Sequence, residues 1–142
     1  RRDTLEKNPE LVKEFVAAYQ KQFPGMPIRV PGNVYYNGYV ATRELLRCCE
    51  EAGSTNSIAV IKKLEGRKMT ARDRMQHFDA WIDPNTHQVQ QTIYMASYND
   101  KPAEKDDLFR ILTEADPKEV IDPDAPKNCK LETYEATPSY QQ

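Results

Sequence analysis

The sequence predicts an α/β fold, or α+β for an isolated fragment, in which helices pack on a sheet that contains an antiparallel hairpin. Three stretches with apolar residues three and four positions apart indicate amphipathic helices, and two alternating stretches around an Asp-Pro-Asn turn indicate paired strands. The 142 residues suffice for one domain with a core, and their formal net charge of −2 argues against a basic nucleic-acid-binding surface.

The first helix is predicted to begin after Asn8, which suits the N-cap position, with Pro9 as its first helical residue. The pair Pro24-Gly25 ends it, and two further prolines make the connector over residues 24–32 extended or turning. The apolar face of this helix consists of Leu11, Phe15, Ala18 and Tyr19.

A second helix is predicted from near Gly38 to Gly53, where glycine can take the left-handed conformation that ends many helices. Its predicted buried face consists of Tyr39, Leu45, Leu46, Cys49 and Ala52. A third helix starts after Asn56 as N-cap and is closed by Gly66. Its predicted buried stripe consists of Ile58, Ile61 and Leu64.

An antiparallel hairpin is predicted over residues 75–98, with its turn at residues 83–86. The alternating apolar positions are Phe78, Ala80 and Ile82 on one arm and Val89, Ile93 and Met95 on the other. For Trp81, packing in the core or on the hairpin face is favoured over ligand stacking. The basic residues just before the hairpin are interrupted by acidic ones, which favours a solvated loop over a site for an anionic partner. They are Arg67, Lys68, Arg72 and Arg74.

Beyond residue 100 the chain is charged, has one short apolar run over residues 108–112, and ends in a Pro-rich tail predicted to lie over a surface. The sequence contains no apolar run near the roughly 20 residues that cross a bilayer, and no charged-then-apolar leader at its start.

Residues that could carry out catalysis are few, and we predict no enzyme, no cofactor and no metal site. His77, Asp79 and His87 could form a two-histidine-one-carboxylate set, but their spacing matches no standard metal motif. Ser54 and Ser57 fit turn and helix-start positions better than the position of a nucleophile.

Three short passages resemble the C-terminal lobe of type I periplasmic binding proteins, the group that binds branched-chain amino acids, amides and urea. They read Gly38-Tyr39-Val40-Ala41, Ala52-Gly53-Ser54-Thr55-Asn56 and Leu64-Glu65-Gly66. With flanking similarity the resemblance covers about residues 8–98. Two departures stand out: Val40 replaces the family's usual aspartate, and Arg72-Asp73-Arg74 stands where arginine-glycine is common.

This resemblance implies the solute-binding component of an ABC importer, which captures an amino acid, amide or aromatic or organic acid between two lobes. It implies a membrane permease as partner, no nucleic acid, and a periplasmic location with a signal peptide removed or upstream. The alternative is the ligand-sensing ectodomain of a receptor with the same fold. Residues 1–100 correspond to a C-terminal-lobe segment and residues 101–142 to a crossover and extended tail. Because only the last third of such a protein is represented, we expect a fragment that tends to form a homodimer or exchange strands.

The resemblance also points to a polar and aromatic cluster, Tyr35, Tyr36 and Asn37, just before the second helix. In the family this region approaches the cleft between the lobes, where aromatic side chains line the ligand and polar groups orient it. The structural alternative is that the two tyrosines straddle the end of a strand, with one in the core and one in solvent.

The three cysteines, Cys48, Cys49 and Cys129, allow at most one disulfide. In an oxidising periplasm Cys48 is the predicted partner of Cys129, because helix register places Cys49 on the apolar face as a buried free thiol. The alternative is that all three are reduced.

Overall fold

Helices and two small antiparallel sheets form the mixed α/β fold of the computed structural model, which describes residues 9–103 and 105–136. The predicted fold class is confirmed. No helix in this part of the chain is long and apolar enough to cross a membrane. The helices are α1 (Pro9–Gln22), α2 (Asn33–Ala52), α3 (Ser57–Leu64), α4 (Ala71–Arg74), α5 (Pro117–Val120), α6 (Ala125–Asn128) and a 3-10 turn (Tyr134–Ala136). The strands are β1 (Lys68–Met69), β2 (Ala80–Ile82), β3 (Val89–Gln90), β4 (Ile93–Tyr98) and β5 (Phe109–Ala115).

The first predicted helix is present as α1, and it packs against α2 around a small core. Val12, Val40 and Met75 are the buried members of this core. The predicted N-cap, Asn8, lies outside the described residues. The partly buried hydrophobic residues around the core are Leu11, Phe15, Val16 and Tyr36.

Helix α2 begins at Asn33, five residues before the predicted start, so Gly38 lies inside the helix. Gly32 is the N-cap, and its backbone is extended (φ −78°, ψ −177°). The predicted end is confirmed: Gly53 has φ of 60° and donates its amide to the Glu50 carbonyl at 3.0 Å.

The buried face of α2 differs from the predicted one. Val40, Glu44 and Cys48 are buried, whereas Leu45 and Leu46 are 47% and 63% exposed. Arginines from α2 and from the segment before β1 surround the Glu44 carboxylate. This ion cluster allows a charged side chain to be buried on this side of α2. Tyr39, also predicted to be buried, is 46% exposed, so the predicted buried face of α2 is wrong. Periodicity groups apolar residues on one side of a helix but does not show whether a partner covers that side.

Cys48 and Cys49 have the opposite burial from the predicted one, because the buried side of α2 is not the predicted side. Cys48 is fully buried and Cys49 only partly so, and burial raises the pKa of the Cys48 thiol. Within the described part of the chain none of the three cysteines forms a disulfide. The prediction that Cys48 lies on the solvent side is therefore wrong.

Helix α3 confirms its predicted cap. The Asn56 side-chain oxygen accepts hydrogen bonds from the amides of Ile58 at 3.1 Å and Ala59 at 3.2 Å. Gly66, just after the helix, has φ of 68°. Buried positions on α3 are Ile58 and Val60, while Ile61 and Leu64 are partly buried.

The predicted hairpin turn is confirmed, because β2 pairs with β3 in antiparallel register with Ile82 opposite Val89. Asp83 shapes the turn: its carboxylate accepts the amides of Asn85 and Thr86, and its own amide donates to the Gln88 carbonyl. Strand β1 contains Lys68, which was predicted to lie in a solvated loop, and adds a third strand in the order β1-β2-β3.

The second predicted arm does not continue along β2. It breaks at Thr92, whose buried hydroxyl accepts the Phe78 amide at 3.1 Å, and the chain then forms β4, which pairs with β5. All of the apolar run at residues 108–112 except Leu108 therefore lies in β5, which pairs with a strand on the other side of residue 100. The alternating apolar positions of the second arm are exposed. They are Val89, Ile93 and Met95.

Two of the four basic residues assigned to a solvated loop are held by specific contacts. Arg67 is anchored between Glu44 and Glu51, and Arg74 is 5% exposed with its guanidinium on Gln91. Sequence spacing could not reveal these contacts, because the partners lie 16 to 23 residues away.

Candidate functional site

The predicted cluster Tyr35, Tyr36 and Asn37 lies in the first turns of α2, neither before the helix nor at a strand end as the two sequence interpretations had it. Successive residues of a helix point about 100° apart. The three side chains therefore diverge, and each has a separate environment.

Tyr36 points toward the core. Its hydroxyl donates to the Arg74 carbonyl, and the Arg74 guanidinium lies 5.7 Å from the centre of its ring. Burial raises the pKa of Tyr36 to about 12. This side chain therefore holds α2 against the segment that precedes β2.

Tyr35 points outward and joins an aromatic wall, by which we mean Tyr19, Phe23 and Tyr35. The ring centres of Tyr35 and Tyr19 are 5.2 Å apart in an edge-on arrangement, and those of Tyr19 and Phe23 are 5.4 Å apart. Tyr35 remains 45% exposed and Phe23 44% exposed. The wall thus offers aromatic surface to a molecule outside the chain.

Asn37 and Asn33 lie one turn apart on the exposed side of α2. The Asn37 amide nitrogen donates to the Asn33 side-chain oxygen at 3.2 Å. Two linked amides on the helix that carries Tyr35 provide polar groups of both donor and acceptor type.

Charged groups lie beside the aromatic wall because the connector between α1 and α2 is fixed in place. Tyr19 donates to the Ile28 carbonyl at 3.4 Å, and the Arg29 amide donates to the Asp106 carboxylate at 2.9 Å. Burial and then the neighbouring Tyr35 raise the pKa of Tyr19, while the Arg29 charge lowers it and the Asp106 charge raises it. The wall therefore has a guanidinium and a carboxylate nearby.

Neither Arg29 nor Asp106 was predicted from the sequence to lie at this site. They are 77 residues apart, and no local pattern pairs them. The fixed connector was the available signal, because prolines on both sides of Arg29 restrict the backbone there.

The two histidines considered for a metal site have different partners. His77 contacts Glu114, and His87 lies 2.9 Å from Glu65. No group of three histidine, cysteine or acidic side chains within residues 9–103 and 105–136 could hold a metal ion.

Trp81 is partly buried in β2, where it is paired with Lys68 and Gln90.

A cavity of about 300 Å³ also lies next to His77. Its two carboxylates have local structural roles: Asp79 accepts the Ala71 amide at 2.7 Å, and Asp116 caps α5. The cavity is lined by His77, Phe78, Asp79, Asp116 and Lys118. The acidic side chains of this cavity therefore have structural roles that account for their positions.

Aromatic surface with a few polar and charged groups at its border is typical of sites that bind small solutes. A model of the periplasmic binding protein family matches residues 4–104, and the chain belongs to this family, of type I. Its members bind small molecules, generally without enzymatic activity, and are typically periplasmic. Comparison with curated proteins gave no match, and comparison with solved structures gave none either.

Proposed function

We propose that this chain forms part of the C-terminal lobe of a solute-binding protein that serves an ABC importer. The observation that carries the proposal is the aromatic wall, which lies within the family-matched residues and leaves Tyr35 45% exposed. The ligand is an amino acid, an amide, or an aromatic or organic acid. The activity is binding alone, with no chemical conversion.

Each residue of the candidate site has a distinct part in this proposal. Tyr35 contacts the ligand through its ring, and Asn37 orients it through its exposed amide. Tyr36 fixes the helix that carries both of them by its bond to the Arg74 carbonyl. Arg29 beside the wall attracts a carboxylate group on the ligand.

Capture would require a second lobe that closes over the ligand by a hinge motion, after which the closed protein delivers the ligand to a membrane permease. Large exposed apolar side chains on α2 and on the β4–β5 ribbon support packing against further protein. They include Val34, Leu45, Leu46, Ile93, Met95 and Leu112. For the 142 residues alone, the same surfaces favour a homodimer or strand exchange.

The test uses the complete product of the gene that encodes these residues, titrated calorimetrically with amino acids, amides, urea and aromatic acids. One class should bind, and Tyr35→Ala should weaken its binding at least tenfold, or about 1.4 kcal/mol, because aromatic contact area is lost. Asn37→Ala should weaken binding by a similar factor. Matched controls are Val89→Ala and Asn85→Ala, which change exposed residues on the β2–β3 hairpin.

Unchanged affinity in Tyr35→Ala and Asn37→Ala would remove both residues from the site. Failure of every solute class to bind the complete gene product would overturn the proposed function itself.

A further inference from the structure

The C-terminal strap, by which we mean residues 131–136, meets two other elements at one carboxylate. Glu65, the C-cap of α3, contacts Nε2 of His87 at 2.9 Å and accepts the hydroxyl of Tyr134. Because an ionised carboxylate only accepts, the His87 ring must carry its proton on Nε2. One side chain thus ties together α3, the β2–β3 turn and the strap.

A cation completes this cluster. The ammonium group of Lys62, one turn before Glu65 on α3, lies 5.2 Å from the centre of the Tyr134 ring. The titratable groups that face Glu65 are therefore Lys62 from its own helix, His87 from the turn and Tyr134 from the strap. The Glu65 side chain is 26% exposed, so the cluster is partly screened by solvent.

The strap lies beyond the family-matched residues, which end at 104. Tyr134 in the strap is 69 residues from Glu65 in sequence, and its side chain contacts both the Glu65 carboxylate and the Lys62 ammonium group. A charged acceptor gives stronger hydrogen bonds than a neutral one. Loss of the negative charge on Glu65 therefore weakens both of its contacts at once.

We propose that the strap is a pH-sensitive latch, docked on α3 while Glu65 is ionised and released when Glu65 takes up a proton.

The pH range follows from the same contacts. Burial opposes ionisation of Glu65, but the hydrogen bonds from Tyr134 and His87 outweigh it and lower the pKa of Glu65 from its ordinary 4.5. A depressed pKa in the docked state means that docking is complete above about pH 4.5 and is lost as the pH falls through the lowered value. Burial and the bond to Glu65 raise the pKa of Tyr134 to about 12, so the donor keeps its proton at neutral pH.

Nuclear Overhauser effects (NOEs) between the Tyr134 ring and the Lys62 side chain measure docking directly. They should be present in wild type at pH 7 and decrease progressively as the pH is lowered below 4.5, while NOEs between Val12 and Val40 show that the core is intact. Glu65→Gln, which mimics the protonated acid, should reduce them at pH 7. Tyr134→Phe keeps the ring but removes the donor, and should release the strap to a similar extent.

The matched control is Glu132→Gln, which removes an exposed charge from the strap itself and should leave the NOEs unchanged. Wild-type intensity in Glu65→Gln at pH 7, or an equal loss in Glu132→Gln, would overturn the latch.

Discussion

Replacing Val40 with aspartate is expected to lower the free energy of unfolding by about 4 kcal/mol. The side chain of Val40 is fully buried and belongs to the core with Val12 and Met75. A carboxylate there would lose its hydration without a prepared partner, a cost of about 3 to 5 kcal/mol. The substitution introduces the aspartate that is usual at this position in the family. The experiment therefore also measures how the valine in this chain affects stability.

Urea unfolding of wild type and Val40→Asp measures the difference. The control is Val34→Asp on the same helix, where the side chain is 82% exposed and the expected change is below about 0.5 kcal/mol. A loss under about 1 kcal/mol in Val40→Asp would contradict the apolar role of this position. It would indicate that the carboxylate reaches the Arg74 guanidinium beside Tyr36.

Glu44→Ala is expected to cost about 3 kcal/mol, because it removes the shared acceptor of three arginines from a buried position. Glu44 Oε2 lies 2.8 Å from Nε of Arg67, and Oε1 lies 3.0 Å from Nη1 of Arg47 and 3.3 Å from Nε of Arg43. Arg67 retains Glu51 in the variant, which limits the loss.

The matched control is Glu50→Ala, which removes an exposed glutamate from the same helix and should change stability by less than about 0.5 kcal/mol. Burial opposes ionisation of Glu44, but the three arginines outweigh it and lower its pKa from 4.5. The difference between wild type and Glu44→Ala should therefore be full above pH 4.5 and decrease as the pH falls through the lowered pKa. Equal stability of the two proteins at pH 7 would contradict the role of the cluster.

Local chemistry was readable from the sequence. The Asn56 cap, the left-handed Gly53 and the Asp83 turn each depend on residues within a few positions of one another, and all three are present. Such features follow from backbone geometry and short hydrogen bonds, which a single sequence contains in full.

Features that depend on distant partners were not readable. The buried Glu44 on α2 is paired with Arg67, which lies 23 residues away in sequence. Strand β4 pairs with β5, a strand that the sequence did not predict. At the candidate site, Tyr35 was predicted from the sequence. The rings of Tyr19 and Phe23, which complete the aromatic wall, and the nearby Arg29 were not predicted as part of the site. Aromatic and charged groups converge there only after α1 and the connector have folded onto α2.

Calorimetry on the 142-residue chain alone is the most direct test of the claim that it forms part of one lobe of a two-lobed solute trap. We expect no measurable binding of amino acids, amides or aromatic acids, because lobe closure supplies most of the surface that buries a ligand. The exposed rings of the aromatic wall lie on one surface of the chain and would cover a solute from one side only. Micromolar binding of any of these solutes to the isolated chain would contradict the claim and would mean that these residues form a complete site.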